Sequence, residues 1–313
     1  MRVGTSGAKE SQMRKPILAL TLALLAAAAV ATGTASAQLP VLYNGVLGYA
    51  HVSSTESPPG ANDWSCRPTA AHPRPVVLVH GTFIDMSASW QALSPLLVDH
   101  GYCVFALNYG SSNGSGAIGV YATGEIAASA AELSSFVDRV LAATGAAQVD
   151  VVGHSQGGMM PRWYVRFDEG AAKVHTIVGL APSNHGTTVN GLFTLGSYIP
   201  GADSFFGACE ACEEQAAGSP FIERLNAGGE TVPGVSYTAI ESANDEVVTP
   251  YTSAFLSGPG VTNVLLQAQC LLDQGEHLSM PYDHIADADV LTALDPAHPQ
   301  HPACTPVLPV SGG

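Results

Sequence analysis

The chain has 313 residues, and 46% of them are hydrophobic, which is enough to bury a sizeable core. Acidic residues outnumber basic ones by 26 to 11, so the formal net charge is −15 at pH 7. Such a surface repels nucleic acids and anionic membranes and favours solubility, so we expect neither as a partner.

The first 37 residues have the pattern of an export signal. Arg14 and Lys15 precede an uncharged apolar run from Ile17 to Val30, and the small residues 35–37 offer a cleavage site. The run is too short and too rich in alanine to indicate a membrane span. We therefore assign residues 1–37 to a signal peptide and expect a secreted protein that starts near Gln38.

All six cysteines lie after this signal, at Cys66, Cys103, Cys209, Cys212, Cys270 and Cys304. An even number of cysteines in an exported chain predicts disulfides, but the sequence alone does not choose among the many pairings. Cys209 and Cys212 form a lone C-x-x-C motif with no second pair to complete a zinc site. We expect neither a metal nor a cofactor.

Residues 38–71 are rich in proline, serine and glycine and are predicted to form an irregular strap. Strands and helices then alternate. The predicted strands are 75–79, 102–107, 149–152, 174–180, 235–240 and 261–267, and the predicted helices include 89–100 and one from Ile126 to just before Gly145. This pattern predicts an α/β fold with a mainly parallel sheet and helices on both faces, in which sites lie beyond the carboxyl ends of the strands. No linker interrupts residues 38–313, so we expect one domain.

The stretch from Ala181 to Val232 interrupts this alternation. Its apolar residues look exposed: Leu192, Phe193, Leu195, Tyr198, Ile199, Phe205 and Phe206. We interpret residues 183–232, approximately, as a cap or lid over the site, because long insertions in compact domains are often functional. The alternative is that these side chains pack onto the main core.

Residues 153–157 read Gly-His-Ser-Gln-Gly, between the predicted strand 149–152 and an apolar helical pattern that begins at Met159. This G-x-S-x-G pattern is typical of the nucleophile elbow of α/β-hydrolases, in which a strained turn lifts a serine above the sheet edge. Glycine is favoured at the flanking positions because a Cβ there would crowd the neighbouring strand or helix. We therefore predict an α/β-hydrolase fold with Ser155 as the nucleophile.

A serine nucleophile needs a base to take its proton, and the base needs a carboxylate to fix its tautomer. α/β-Hydrolases supply these in the order serine, acid, histidine, each from a loop after a strand. Ser155, Asp245 and His277 satisfy that order.

Several residues compete for the roles of base and acid. His284 is the alternative base, and Glu241 and Glu246 are the alternatives to Asp245. His185 precedes Asp245 and breaks the expected order. Four further histidines are interpreted as structural or facing solvent: His80, His154, His298 and His301.

Two backbone amides are expected to form the oxyanion hole. One is the N–H of Gln156, directly after the nucleophile, and the other comes from the loop after strand 75–79. We assign the second donor to Thr82, with Phe83 as the alternative.

Four stretches of the chain together resemble the secreted class 2 triacylglycerol lipases of actinomycetes. They are residues 77–82, 153–158, 181–187 and 244–250. The resemblance extends from about His80 to Asp295, and Asn-His-Gly-Thr at 184–187 is its most specific mark. It implies a metal-independent carboxylic ester hydrolase with Ser155, Asp245 and His277 as the triad. It also implies disulfides Cys66–Cys103 and Cys270–Cys304, which leaves Cys209 to pair with Cys212.

We therefore expect a secreted, monomeric triacylglycerol lipase that acts on an ester or lipid substrate, with an oil–water interface as one place of action. An esterase or polyester hydrolase, acting on soluble or polymeric esters, is the alternative within the same chemistry. A secreted acyltransferase that uses the same serine, and a non-catalytic binding protein of the same fold, are the remaining alternatives.

Overall fold

A computed structural model describes Met1 and residues 38–53, 55–112, 114–197 and 209–313, with only the backbone described for Val189, Phe193 and Ser197. The predicted signal peptide, apart from Met1, lies outside the described residues. Four apolar residues of the predicted cap also lie outside them: Tyr198, Ile199, Phe205 and Phe206.

A six-stranded sheet forms the centre of the described structure. Its strands are β1 Val76–Val79, β2 Val104–Leu107, β3 Val149–His154, β4 Val174–Leu180, β5 Ser236–Glu241 and β6 Val261–Leu265. Every neighbouring pair is parallel, in the order β2-β1-β3-β4-β5-β6. The predicted α/β class is confirmed. Because β3 lies between β1 and β4, the turn that follows it is flanked by the loops after both neighbours.

Helices connect these strands and cover both faces of the sheet. The α-helices of the described residues are α1 Gly45–Gly48, α2 Met86–Ser89, α3 Leu93–Asp99, α4 Ile126–Thr144, α5 Gln156–Phe167, α6 Val189–Ser197, α7 Glu210–Glu214, α8 Pro220–Asn226, α9 Leu266–Gln269 and α10 His284–Leu294. Short 3-10 helices cover Tyr49–His51, Ser115–Ile118, Gly170–Ala172, Tyr251–Ala254 and Met280–Tyr282. Alternate strand residues pack in opposite directions: Val77 and Val151 belong to the apolar cluster that includes α4 and α5. Val76 and Val152 belong to the cluster on the other face, with α3 and α10.

The single helix predicted over 89–100 is wrong in extent. The structure has two helices there, α2 and α3, separated at the fully buried Trp90. Pro95 lies in the first turn of α3 and has no N–H to bond the carbonyl of Gln91. That carbonyl instead accepts the amide of Leu42 at 3.3 Å, which ties the strap to the domain.

The described part of the predicted cap contributes to the main core. Cys209, Cys212 and Leu225 are buried in the apolar cluster that contains α4 and α5, and Leu195 of α6 is buried in the same cluster. Leu192 is half-buried. Of the apolar residues named for the predicted cap, only Leu192 and Leu195 have side chains that the structure describes, so the interpretation of residues 183–232 as a cap or lid stays a prediction.

Three disulfides join Cys66 to Cys103, Cys209 to Cys212 and Cys270 to Cys304, which are the pairs that the resemblance implied. Such bonds are typical of proteins from oxidising compartments. Within the described ranges, no helix combines the length and the apolar character that crossing a bilayer requires.

Candidate active site

Ser155 lies in a strained turn between β3 and α5. Its backbone has φ 55° and ψ −123°, a conformation that residues with a side chain rarely adopt. Glycines on both sides allow this turn: a Cβ on Gly153 would lie 1.9 Å from the carbonyl oxygen of Gly157, and a Cβ on Gly157 would lie 2.1 Å from that of Val79. The backbone therefore approaches itself too closely for any other residue, as expected for a nucleophile elbow.

The loops after β5 and β6 bring Asp245 and His277 into contact. Asp245 Oδ2 accepts a hydrogen bond from His277 Nδ1 at 2.7 Å, and both side chains are fully buried. Asp245 Oδ1 accepts the amides of Val247 and Val248, each at 2.7 Å. These two amides fix the orientation of the carboxylate, so that Oδ2 points at the imidazole of His277.

His277 can act as a base through its second ring nitrogen. Because Nδ1 donates its proton to Asp245, Nε2 carries a lone pair. Nε2 is buried and has no hydrogen-bond partner among the described residues. Burial lowers the pKa of His277, but Asp245, Glu276 and Glu246 together raise it by more, so the pKa lies above its ordinary value of 6.5.

Ser155 and His277 line the same cavity of about 470 Å³. The neighbouring His154 also lines it, and its Nε2 lies 2.9 Å from the carbonyl oxygen of His277. Burial and the His277 ring hold the pKa of His154 well below 6.5, so this ring is neutral and can donate that bond. His154 therefore supports the loop that carries His277, which agrees with its structural interpretation.

The alternative acids and bases lie in other environments. His284 starts α10, away from the cavity, and its ring contacts the carbonyl oxygens of Gly313 and Ala303. His185 contacts Ser253 and Glu230. His80 stacks on Tyr109, and burial lowers its pKa to about 4.

The other histidines of the tail lie at the surface. His298 contacts Asp295 and is exposed, and His301 lines a small surface pocket beside His100. Neither lines the cavity that contains Ser155.

Glu241, an alternative to Asp245, is the last residue of β5 and is fully buried. Its Oε1 accepts the amide of Ser242 at 2.8 Å, whereas Oε2 has no hydrogen-bond donor in the described part of the chain. Burial and the adjacent Asp245 carboxylate raise the pKa of Glu241 well above its ordinary value of 4.5. Glu241 therefore lies beside the Asp245 carboxylate with a raised pKa, and Asp245, not Glu241, is the carboxylate that bonds His277 Nδ1.

The loop after β1 places Thr82 beside the serine. A Cβ on Gly81 would lie 3.1 Å from Ser155 Cβ, and Thr82 lines the cavity. The amide of Phe83, the alternative donor, is bonded to the carbonyl oxygen of Tyr121 at 2.9 Å. Because the amide of Phe83 already donates to the loop between β2 and α4, the amide of Thr82 is favoured as the second donor of the oxyanion hole.

The hydroxyl of Thr82 is held by two glutamine side chains. Nε2 of Gln156 and Nε2 of Gln215 each lie 3.0 Å from Thr82 Oγ1. The same two nitrogens contact the carbonyl oxygens of Ala122 and Ala211, which fixes each amide with its nitrogen toward Thr82. The Thr82 oxygen therefore accepts both bonds.

Much of the remaining cavity wall comes from outside these loops. Val46, Tyr49 and Val52 of the strap, and Val310 near the end of the chain, line it. The sequence analysis assigned no function to these residues. Apolar side chains in a segment otherwise rich in proline, serine and glycine were the signal that could have indicated a part in the cavity wall.

Comparison with known proteins identifies the family of the chain. The sequence profile of class 2 lipases matches residues 73–280, which is more than half of the chain. The chain belongs to the class 2 lipase family.

Two curated triacylglycerol lipases are similar to part of this class 2 lipase. Those of Pseudarthrobacter phenanthrenivorans and Burkholderia plantarii are each 37% identical to it over 100 residues, or 30% of this chain. These matches span only 28% and 25% of the two relatives. Because the relatives come from different bacterial groups, they support the family and not a narrower actinomycete origin.

Solved structures share the fold of this class 2 lipase. Aspergillus fumigatus lipase B has a TM-score of 0.59 at 22% identity, covering 78% of this chain and 56% of the other. The mature Bacillus licheniformis lipase BlEst2 has a TM-score of 0.53 at 15% identity, covering 73% and 94%. At these identities the likeness establishes the α/β-hydrolase fold.

Proposed function

We propose that this class 2 lipase hydrolyses carboxylic esters with apolar chains, triacylglycerols included, through Ser155, His277 and Asp245. The observation that carries the proposal is the buried Asp245–His277 pair at 2.7 Å, because His277 of this pair lines the same cavity as the strained Ser155. Family membership and the curated triacylglycerol lipases support the substrate class.

The reaction takes place in two acyl-transfer steps. Ser155 Oγ attacks the ester carbonyl carbon while His277 Nε2 takes the hydroxyl proton, and Asp245 stabilises the imidazolium that forms. The bond from the carbonyl carbon to the alcohol oxygen then breaks, and His277 returns the proton to the leaving alcohol. A water molecule repeats the sequence on the acyl enzyme and releases the acid.

The amides of Thr82 and Gln156 are proposed to bind the oxyanion of each tetrahedral intermediate. Gln156 is the first residue of α5, so the N-terminal end of the helix dipole favours the negative charge. The Thr82 hydroxyl supplies a third donor, since two glutamine amides already occupy its acceptor sites. Fixed donors of this kind stabilise the transition state without reorganisation.

Ser155→Ala tests the proposal directly. We expect kcat/KM for p-nitrophenyl butyrate to fall by roughly four orders of magnitude or more, because the nucleophile is lost. Ser135→Ala, at an exposed serine of α4, is the matched control and is expected to retain full activity. Covalent labelling by a fluorophosphonate should be lost in Ser155→Ala only. Labelling and turnover that persist in this variant would reject the assignment.

A lipase acts on esters at an oil surface, whereas an esterase acts on dissolved ones. The apolar residues Val46, Val52 and Ile118 are exposed around the cavity and favour contact with an oil surface. We therefore expect the rate on tributyrin to rise above its solubility limit. A rate that saturates below that limit would favour the esterase.

Export and a monomeric state belong to the same proposal, as does a single domain over residues 38–313. The three disulfides support export, because they persist in oxidising compartments. Mass spectrometry of the protein recovered from culture medium should give an N-terminus near Gln38, and light scattering should give the mass of one chain.

A further inference from the structure

The cavity beside Ser155 is closed on one side by two distant parts of the chain. Val46, Tyr49 and Val52 come from the strap, and Val310 comes from the tail. All four lie outside residues 73–280, the part that the family profile matches. The reacting groups lie within the matched part, so this wall is a separate feature of the site.

The strap is fixed to the site by specific bonds. The hydroxyl of Tyr49 donates to the carbonyl oxygen of Leu278 at 2.6 Å, directly beside His277. The amide of Ser53 donates to Asp85 Oδ2 at 2.7 Å. The wall is therefore held in one position at both ends, as a selective surface requires.

The tail is fixed to the strap and to the histidine loop. The amide of Gly45 donates to the carbonyl oxygen of Ser311 at 2.8 Å, and the amide of Val310 donates to Glu276 Oε1 at 2.6 Å. Glu276 Oε2 accepts the amide of Leu278 at 2.8 Å. One carboxylate thus connects the tail to the loop of His277.

Within the described part of the chain, this wall presents apolar side chains that are exposed to solvent. Val46 is 57% exposed and Val52 is 46% exposed, although both line the cavity. Ile118, which is distant from the strap in sequence, also lines the cavity and is 61% exposed. A hydrocarbon chain laid against these side chains would remove apolar surface of both partners from water.

We propose that Val46, Tyr49 and Val52 of the strap, with Val310, form the surface that binds the hydrocarbon chain of the ester and determines which chain lengths are accepted. This inference rests on the proposed ester hydrolysis. It assigns selectivity to the two ends of the folded domain and the reaction to the family-matched part between them.

Two neighbouring residues of α1 provide a matched test. Val46 and Leu47 are equally exposed, at 57% and 56%, but Leu47 does not line the cavity. Val46→Asp and Leu47→Asp add the same charge to the same helix, and neither opens a buried core. Only the first places a carboxylate where a hydrocarbon chain would have to desolvate it.

The measurement is kcat/KM for p-nitrophenyl acetate, butyrate, laurate and palmitate. Val46→Asp should lower the ratio of palmitate to acetate by about tenfold or more, because the long chain loses its apolar contact. Leu47→Asp should leave that ratio within about twofold of the unsubstituted protein. Far-UV circular dichroism and melting curves should be alike for both variants.

A second series, alkyl butyrates of increasing alcohol length, identifies which side of the ester lies on the wall. Selective loss in either series supports the proposal and assigns the wall to the acyl or to the alcohol chain. Equal changes in the two variants, or none in either series, would overturn it. If the unsubstituted protein hydrolyses no ester of either series, the proposed function fails instead, so the two failures are distinguishable.

Discussion

The elbow that carries Ser155 and the loop that carries His277 are held in different ways. The elbow is held by close contacts between backbone atoms. Gly153 and Gly157 lie against each other and against β1, and the amide of Ser155 donates to the carbonyl oxygen of Leu180 in β4 at 2.9 Å. The histidine loop is held from outside, by Tyr49 of the strap, by Val310 of the tail and by the Cys270–Cys304 disulfide.

This difference predicts how each part fails. Close backbone packing allows no added atom, so one methyl group in the elbow should disrupt the fold. The hydrogen bonds from the strap and the tail contribute about 1 kcal/mol each and can be removed singly. We therefore expect a change in the elbow to abolish the position of Ser155 completely. The position of His277 should instead be lost in steps, as single contacts are removed.

The largest effect is expected from Gly157→Ala. The new Cβ would lie 2.1 Å from the carbonyl oxygen of Val79 and 2.4 Å from that of His80, and backbone cannot move aside cheaply. We expect the free energy of unfolding to fall by more than about 3 kcal/mol, with loss of activity. Gly124→Ala is the control, since its Cβ would meet nothing closer than 3.5 Å. Denaturant melts of both variants provide the comparison, and equal stability would contradict the steric explanation.

An intermediate effect is expected when the disulfide beside the histidine loop is removed. Cys270–Cys304 spans 34 positions, so replacing both cysteines by serine should reduce the free energy of unfolding by about 4 kcal/mol. The same replacement at Cys209–Cys212, which spans 3 positions, should cost about 2 kcal/mol or less. Only the first change should also lower kcat/KM, because Cys270 begins the segment that leads to His277. If removal of Cys209–Cys212 lowers kcat/KM more than removal of Cys270–Cys304, the longer disulfide does not act by holding the histidine loop.

The smallest effects concern the charges around His277. His277, the proposed base, must be neutral to take a proton, and its pKa is raised above 6.5, so kcat/KM should fall as pH is lowered through a value above 6.5. The charge of this ring interacts with Asp245, Glu276 and Glu246, which raise its pKa, and with the neighbouring His154.

Two glutamate variants test which carboxyl groups influence the pKa of His277 through a negative charge. Glu241→Gln should leave the acid limb of the pH profile in place, because burial and the adjacent Asp245 raise the pKa of Glu241 and favour its uncharged form. Glu246→Gln should move that limb to lower pH, because the negative charge of Glu246 raises the pKa of His277. A downward shift in Glu241→Gln would mean that Glu241 carries a charge in the native protein.

The sequence predicted the elbow well because its requirements are local. Gly153, Ser155 and Gly157 lie within five positions, and a strand and a helix adjoin them. The strand positions were predictable for a similar reason, since strands buried on both faces are continuous apolar runs. The pairing of Asp245 with His277 followed from chain order and position after strands.

The wall of the cavity was not predictable in this way. Tyr49 reaches Leu278 across 229 positions, and no local pattern encodes such a contact. The sequence analysis missed the break between α2 and α3 because the apolar spacing continues through Trp90. The burial of the Trp90 indole, together with Pro95 in the first turn of α3, determines where the two helices separate. The raised pKa of Glu241 depends on its burial beside Asp245, which becomes visible only once β5 and its loop are placed.

The most direct test of the central claim is a crystal structure of the protein after reaction with an alkyl phosphonate. We predict a covalent bond from phosphorus to Ser155 Oγ, the phosphoryl oxygen bound by the amides of Thr82 and Gln156, His277 Nε2 within hydrogen-bonding distance of Oγ, and the alkyl chain against Val46 and Val52. Attachment at another residue, or an imidazole of His277 remote from Ser155 in the adduct, would contradict the proposed mechanism.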